Sequence, residues 1–349
     1  MRAIRFHAKG DLRFEDMPEP PPPAEGQVRL RVRMAGICGS DLHNFATGQW
    51  ISRLPVTPGH EFCAEVLSLG AGVSGMAPGD LVVVDSRANC GECDHCLRGA
   101  RNLCRRMGFV GEVCDGGFAE QSVQPAHRLL KVPAGIDPAV AAMTEPLAVA
   151  LRVVRQLDAS PGAKVLIAGG GCIGGLVALL LRELGQHPVL LAERNADRTR
   201  LLEDVAGIRP VALEVQAVRD ACDGTEPAFG VEATGSGEVL NRLLACVRSG
   251  GRIAMVGLFD GAQPVDANQL VERELSLVGC SVFQDEFREA VTLLPRLADR
   301  LAALAASPIA LEDVPAAYRS LRSGAISQLK MLVQPQPGNP TTSDLPDVG

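Results

Sequence analysis

No apolar run in this 349-residue sequence approaches the length needed to span a bilayer; the longest, such as "LVALLL" at 176–181, fall far short. The first residues, "MRAIRFHAKGDLRFED", contain no apolar signal-peptide core. The expected location is therefore the cytoplasm, where thiols stay reduced. There is no basic run and the net charge is −7, so a nucleic-acid surface is not expected. Tryptophan is nearly absent too. Trp50 is the only one, and with Phe45, Phe109 and Phe118 it completes a short set of candidate pocket walls.

What is present is ordinary for a soluble protein: 46% hydrophobic and 21% charged residues. The length exceeds what one core usually takes, so two domains are expected. Cysteine is the exception. Four of the eleven fall in "CGECDHCLRGARNLC", with spacing Cys90-x2-Cys93-x2-Cys96-x7-Cys104. In a reducing compartment such density points to metal rather than disulfides. Ferredoxin-type clusters use a final gap of three followed by proline, and here the gap is seven without one. Four thiolates enclosing zinc leave no open coordination position, so this ion is expected to be structural.

A second constellation is mixed. "GICGSDLH" (36–43) holds Cys38, and "PGHEF" (58–62) holds His60 and Glu61. Sulfur, nitrogen and oxygen ligands with an open position are the mark of catalytic zinc. Neighbouring side chains on an extended strand point to opposite faces, so His60 and Glu61 are not expected to share an ion easily. Glu145, in "TEPLAVA" (144–150), is the rival carboxylate, with one of the two as ligand and the other as support.

The third signal is "PGAKVLIAGGGCIGGLVALLLRELG" (161–185), a strand, a glycine turn and an apolar helix. Gly169, Gly171 and Gly174 form G-x-G-x-x-G, whose turn sets a helix N-terminus against a pyrophosphate. Glu193 ends the next strand, "PVLLAE", where a carboxylate accepts ribose hydroxyls and favours NAD over NADP. Arg194 and Arg198 soften that preference, and Cys172, Ile173 and Val256 complete the expected cofactor contacts. Further strands at 228–235, 251–258 and 274–283, with a helix at 236–251, continue a doubly wound parallel sheet. The segment between Glu193 and "AFGVEATG" looks trimmed, so a shortened strand or helix is expected there.

Together, and in this order, "GICGSDLH", "PGHEF", the four-cysteine lobe, "GGFAEQ" (116–121) and "EPLAVA" resemble the zinc-dependent medium-chain alcohol dehydrogenase family. The resemblance covers most of the chain. It implies an α/β protein with a GroES-like, mainly-β catalytic domain (1–151 and 286–335) and a Rossmann domain (152–285). The Pro- and Ser/Thr-rich tail, 336–349, is expected to be disordered. It also implies two zinc ions per chain, one held by Cys38, His60 and Glu61 or Glu145, the other by Cys90, Cys93, Cys96 and Cys104. Cys172 departs from the proline common in that turn.

In such enzymes zinc supplies Lewis acidity that favours loss of the alcohol proton before hydride passes to nicotinamide. Ser40 and His43 match the hydroxyl and imidazole that relay the proton outward. The lobe and "EPLAVALRVV" look most like the polyol and sugar-acid branch, which includes sorbitol, xylitol and L-idonate dehydrogenases. Val282 and Phe283 stand where sorbitol dehydrogenases carry an arginine–aromatic pair, which speaks against sorbitol itself. The rivals are L-threonine and 2,3-butanediol dehydrogenases and a non-catalytic NAD-binding redox sensor. A zinc ribbon on nucleic acid is disfavoured by the acidic balance. Relatives pair sheets edge to edge, so a homodimer or homotetramer is expected, and the partner is a small alcohol.

Overall fold

The computed structural model describes residues 1–322 and 328–336; the expected disordered tail lies outside them from 337 onward. Two sheets dominate. The first has seven strands, in the order Ile309–Ala310, Leu332–Gln334, Gln27–Gly36, Glu61–Leu69, Leu81–Val84 and Leu129–Lys131, with Gln121–Pro125 also on Gln27–Gly36. Its long strand alternates buried and less buried residues over Gln27–Val32, as a sheet with one face on a core must. That core holds Ile4, Val28, Leu30, Phe62, Phe118 and Tyr318. Phe45 and Phe118 are part of it, each edge-on to Tyr318, so these two aromatics are packing groups rather than pocket walls.

The second sheet has six parallel strands in the order Arg209–Pro210, Val189–Ala192, Val165–Ala168, Phe229–Glu232, Arg252–Met255 and Ser276–Gly279. Val165–Ala168 is central and wholly buried, because helices cover both faces of a doubly wound sheet. Beyond Glu193 the chain forms helix Ala196–Ala206, the two-residue edge strand Arg209–Pro210 and the short helix Val215–Ala221. The trimmed segment is thus a shortened edge.

Helix Thr144–Leu157 lies between the two halves. Its Leu147, Leu151 and Val153 share one apolar cluster with Met34 and Val83 of the first sheet and with Ile167 and Leu176 of the second half. Helix Glu286–Leu304 adds Phe287, Leu294 and Leu301 to the same cluster. After that helix the chain returns to the first sheet as strands Ile309–Ala310 and Leu332–Gln334.

A polar tie reinforces this junction. Arg87, only 6% exposed, grips Asp85 through Nε and Nη2 at 3.0 and 2.7 Å. Its Nη1 donates to the Phe283 carbonyl at 2.8 Å, and the guanidinium sits 4.5 Å above the Phe283 ring. Arg87→Ala removes these side-chain contacts and leaves the Asp85 carboxylate with only the backbone N–H of residue 87, now at 3.0 Å. The expected loss is roughly 3 kcal/mol, the low end for breaking a buried pair, since Asp85 keeps some contact with water. Denaturant unfolding checks it, and an unchanged midpoint would mean that the apolar cluster alone holds the junction.

Candidate active site and metal centres

The four-cysteine lobe has little regular structure beyond helix Asp94–Leu97 and a single 3₁₀ turn, Arg101–Leu103. Its sulfurs nevertheless converge, with separations of 3.5 Å (Cys90–Cys104), 3.9 Å (Cys93–Cys104) and 4.0 Å (Cys90–Cys96). A regular tetrahedron of zinc–sulfur bonds about 2.3 Å long has edges of about 3.8 Å, so the thiols fit zinc. Backbone N–H groups of Cys90 and Arg106 donate to the Cys104 sulfur at 3.3 and 3.4 Å, the polarity a thiolate needs. The Cys93 backbone helps bring the Cys90 thiol down to about 6, while burial pushes Cys96 up to about 12.

At the second centre the donor atoms of Cys38, His60 and Glu61 lie within 4.8 Å of one another. The expected conflict between adjacent His60 and Glu61 does not arise. Gly59 turns the chain at φ +93° and the strand begins only at Glu61, so His60 is not bound by strand alternation. Glu145 is not part of this donor group; its Oε1 accepts from Ser86 Oγ at 2.9 Å. Burial pushes its carboxyl up to about 7, with Glu61 adding repulsion and His60 opposing.

Helix Gly39–Thr47 supports the centre. Asp41 accepts from the Cys38 backbone N–H at 2.9 Å, and its other oxygen lies 3.4 Å from His60 Nδ1. Nδ1 makes no hydrogen bond among the described residues, while Nε2 faces Ser40 Oγ at 3.4 Å. Burial disfavours a charged His60, yet Asp41 and Cys38 outweigh it and raise its pKa well above the ordinary value. A metal must displace that proton, because only neutral imidazole is a ligand. Farther out, His43 Nε2 pairs with Gln49 Oε1 at 2.7 Å and its ring stacks on Trp50, centroids 4.5 Å apart. Phe109 lies 6.3 Å from the His60 ring.

Two residues here escaped the sequence reading. Asp41 was visible within "GICGSDLH" but had no role. Lys330 donates to both Glu61 oxygens, at 2.8 and 2.6 Å, and to the Ile37 carbonyl at 3.1 Å. Its pKa is raised: burial works against the charge, but Cys172, Glu61 and Cys38 prevail. The one available signal was a lysine set inside the apolar stretch "LKMLV".

The glycine turn joins strand Val165–Ala168 to helix Cys172–Gly185, with Gly171 as the N-cap. Gly169 adopts φ +99°, and a Cβ there would press on Thr234; one on Gly174 would overlap the Gly169 carbonyl. Glu193 accepts from the Gly170 and Asn195 N–H groups, both at 2.7 Å. Arg194 is exposed, and the Arg198 N–H donates to Asn195 Oδ1 at 3.1 Å. Ile173 is half-buried behind the turn, and half-buried Val256 follows the strand that ends at Met255.

Sequence and structure comparisons agree with this geometry. Residues 24–134 match the alcohol dehydrogenase GroES-like domain, and residues 172–296 match the zinc-binding dehydrogenase family. The chain belongs to the zinc-containing medium-chain alcohol dehydrogenases. It is 34% identical to 2-dehydro-3-deoxy-L-galactonate 5-dehydrogenase of Pseudoalteromonas atlantica, over 89% of this chain and 92% of that one. Sorbitol dehydrogenase of Halalkalibacterium halodurans is 31% identical, over 94% and 97%. L-threonine 3-dehydrogenase of Pyrococcus horikoshii is 35% identical, over 73% and 74%. The crystal structure of 2R,3R-butanediol dehydrogenase from Bacillus subtilis superposes with a TM-score of 0.88 at 30% identity, over 96% and 99%. As a zinc-containing medium-chain dehydrogenase, the protein acts on CH–OH donors with NAD(P). No helix among the described residues is long and apolar enough to cross a membrane.

The two centres differ in how tightly they should hold metal. Cys38→Ala should remove one zinc per chain and abolish turnover while the fold persists. Cys104→Ala should lower thermal stability as well, because the lobe has little else to shape it. Elemental analysis with thermal unfolding tests both, and loss of both ions from a folded Cys38→Ala protein would contradict the assignment.

Proposed function

We propose that this dehydrogenase reversibly oxidises a secondary alcohol of a polyol or sugar acid to the ketone, passing hydride to NAD. The observation that carries the reading is the junction of the two half-sites. Gly175, in the first turn of the helix that follows the glycine turn, packs so closely on Leu329 that a Cβ there would lie 2.9 Å from its side chain. The next residue, Lys330, holds Glu61, so the dinucleotide turn and the metal donors are neighbours. An intact donor set beside that turn speaks against a redox sensor without turnover. The match to L-threonine 3-dehydrogenase keeps that amino alcohol, and the butanediol dehydrogenase superposition keeps 2,3-butanediol, as rival substrates.

Zinc held by Cys38, His60 and Glu61 would supply Lewis acidity toward the alcohol oxygen. The chain's own groups then handle the proton. Ser40, beside His60, would accept it from the substrate hydroxyl while passing its own hydroxyl proton on, and His43, on the more open side of the same helix, would hand it outward. Glu145, braced by Ser86, is the supporting carboxylate of the metal centre. Eleven cysteines without a disulfide suit a cytoplasmic setting. The edge strand Ser276–Gly279, flanked by exposed Val271 and Leu258, suits a dimer or tetramer built by sheet pairing.

NAD or NADP reduction across polyols, sugar acids, diols and L-threonine tests the reading directly. The expected result is turnover of a polyol or sugar acid with NAD favoured roughly tenfold or more, about 1.4 kcal/mol. The carboxylate of Glu193 repels a 2′-phosphate, and a clear NADP preference would refute its role.

If Ser40 and His43 carry the proton, His43→Ala should slow oxidation by up to about 10²–10⁴-fold, less where water substitutes, and alter the pH profile. Ser40→Ala should cost at least as much, with zinc content and NAD affinity little changed. Near-normal rates at all pH values in both variants would return them to structural roles.

A further inference from the structure

Glu112 is an acid that neither the metal centres nor the proton relay uses. It is only 6% exposed and lies one turn beyond Phe109, its N–H donating to the Phe109 carbonyl at 3.0 Å. Asn44 Nδ2 holds its Oε1 at 2.8 Å, and Asn44 Oδ1 in turn accepts from the Trp50 N–H at 3.1 Å. Asn44 stands on helix Gly39–Thr47, one turn past Ser40 and Asp41. The carboxylate is thus fixed between the helix of the proposed relay and the loop whose Phe109 packs near His60.

Its second oxygen is differently placed. Among the described residues Oε2 takes no hydrogen bond, yet it is not one of the sealed, unpartnered polar atoms, so it opens toward accessible space. That space lies on the side of the metal centre, for Asn44 shares its helix with Asp41, and Phe109, whose carbonyl accepts from the Glu112 N–H, lies 6.3 Å from the His60 ring. A buried carboxylate with one amide partner is costly, and a glutamine or an apolar residue would serve packing better. Meanwhile the buried cations among the described residues are already paired: Arg5 with Asp115, Arg87 with Asp85, and Lys330 with Glu61. None of them remains for the carboxylate of a sugar acid.

We propose that Glu112 is a specificity-determining residue of the substrate cleft. Its outward oxygen accepts a hydrogen bond from a hydroxyl of a neutral polyol, beyond the reacting carbon, and its charge repels the carboxylate of a sugar acid. Asn44 is the positioning residue that holds it. This inference rests on the dehydrogenase reading above and narrows its substrate from polyol or sugar acid to polyol.

The test compares kcat/KM for xylitol, L-idonate, 2,3-butanediol and L-threonine in wild type, Glu112→Gln and Glu112→Asp, with zinc content and thermal unfolding as fold checks. Wild type should favour xylitol. Glu112→Gln should lose about 10–100-fold on xylitol, the scale of a lost hydrogen bond to a charged group, gain on L-idonate, and change little on 2,3-butanediol. Equal losses on every substrate would make Glu112 a support for His60 and overturn the proposal, as would no change on any. Wild-type preference for L-idonate or L-threonine sinks this inference alone, whereas turnover of none of the four sinks the dehydrogenase reading with it. Should Glu112→Gln not fold, Glu112→Asp decides: it keeps the charge and must keep the order xylitol over L-idonate, and a reversed order overturns the proposal.

Discussion

The buried pair between Glu61 and Lys330 is the constraint on which the active-site half depends. Both side chains are almost wholly enclosed, 1% and 3% exposed. Such a pair adds little net stability, because desolvation offsets most of the attraction, but removing one partner strands a buried charge. Its effect is therefore to fix register. Lys330 belongs to the segment that leads into strand Leu332–Gln334, which pairs with Ala35 and Gly36 of the longest strand, just before Cys38. The ion pair thus holds the returning chain, the first metal-donor loop and the strand bearing Glu61 in one arrangement.

Around it, the two metal centres solve different problems. The lobe has almost no apolar core of its own and exposes Leu97 and Leu103. Its shape comes from thiols converging on one point, with backbone N–H groups aimed at sulfur. It docks through main-chain acceptors: Asn102 Nδ2 on the Ser281 carbonyl at 3.3 Å, and Gln284 Nε2 on the Gly99 carbonyl at 3.2 Å. The mixed centre instead sits at the ends of regular elements, with Cys38 capping helix Gly39–Thr47 and Glu61 opening strand Glu61–Leu69.

The nucleotide half is arranged by the parallel sheet. All six strands end at the same edge, and the glycine turn after the central strand opens there, where helix N-termini favour anions. Helix Thr144–Leu157 then fixes that edge against the first sheet, since its apolar faces belong to the cluster both halves share. Glu145 stands at its first turn, so the same helix that joins the halves brings a buried carboxylate to Ser86, just past strand Leu81–Val84. The aromatic candidates divide on the same logic. Phe45 and Phe118 fill the first core, while Phe109 and Trp50 stay near His60 and His43.

Local spacing determined much of this protein without help. The cysteine lobe lies within fifteen residues and the glycine turn within six, so their geometry is dictated by nearby backbone and is legible in the residues alone. The strand–helix alternation was equally plain, because burial on both faces demands continuous apolar runs such as Val165–Ala168. The alternation rule misjudged His60 and Glu61, since it assumes a strand and the strand starts one residue late. Lys330 and Glu112 were beyond reach for a deeper reason. Each acquires its role from a partner brought close only by folding, in the case of Lys330 and Glu61 across 269 residues. Whether a charged residue is solvated on the surface or buried beside another charge is a property of the surrounding packing, and only the tertiary structure decides it.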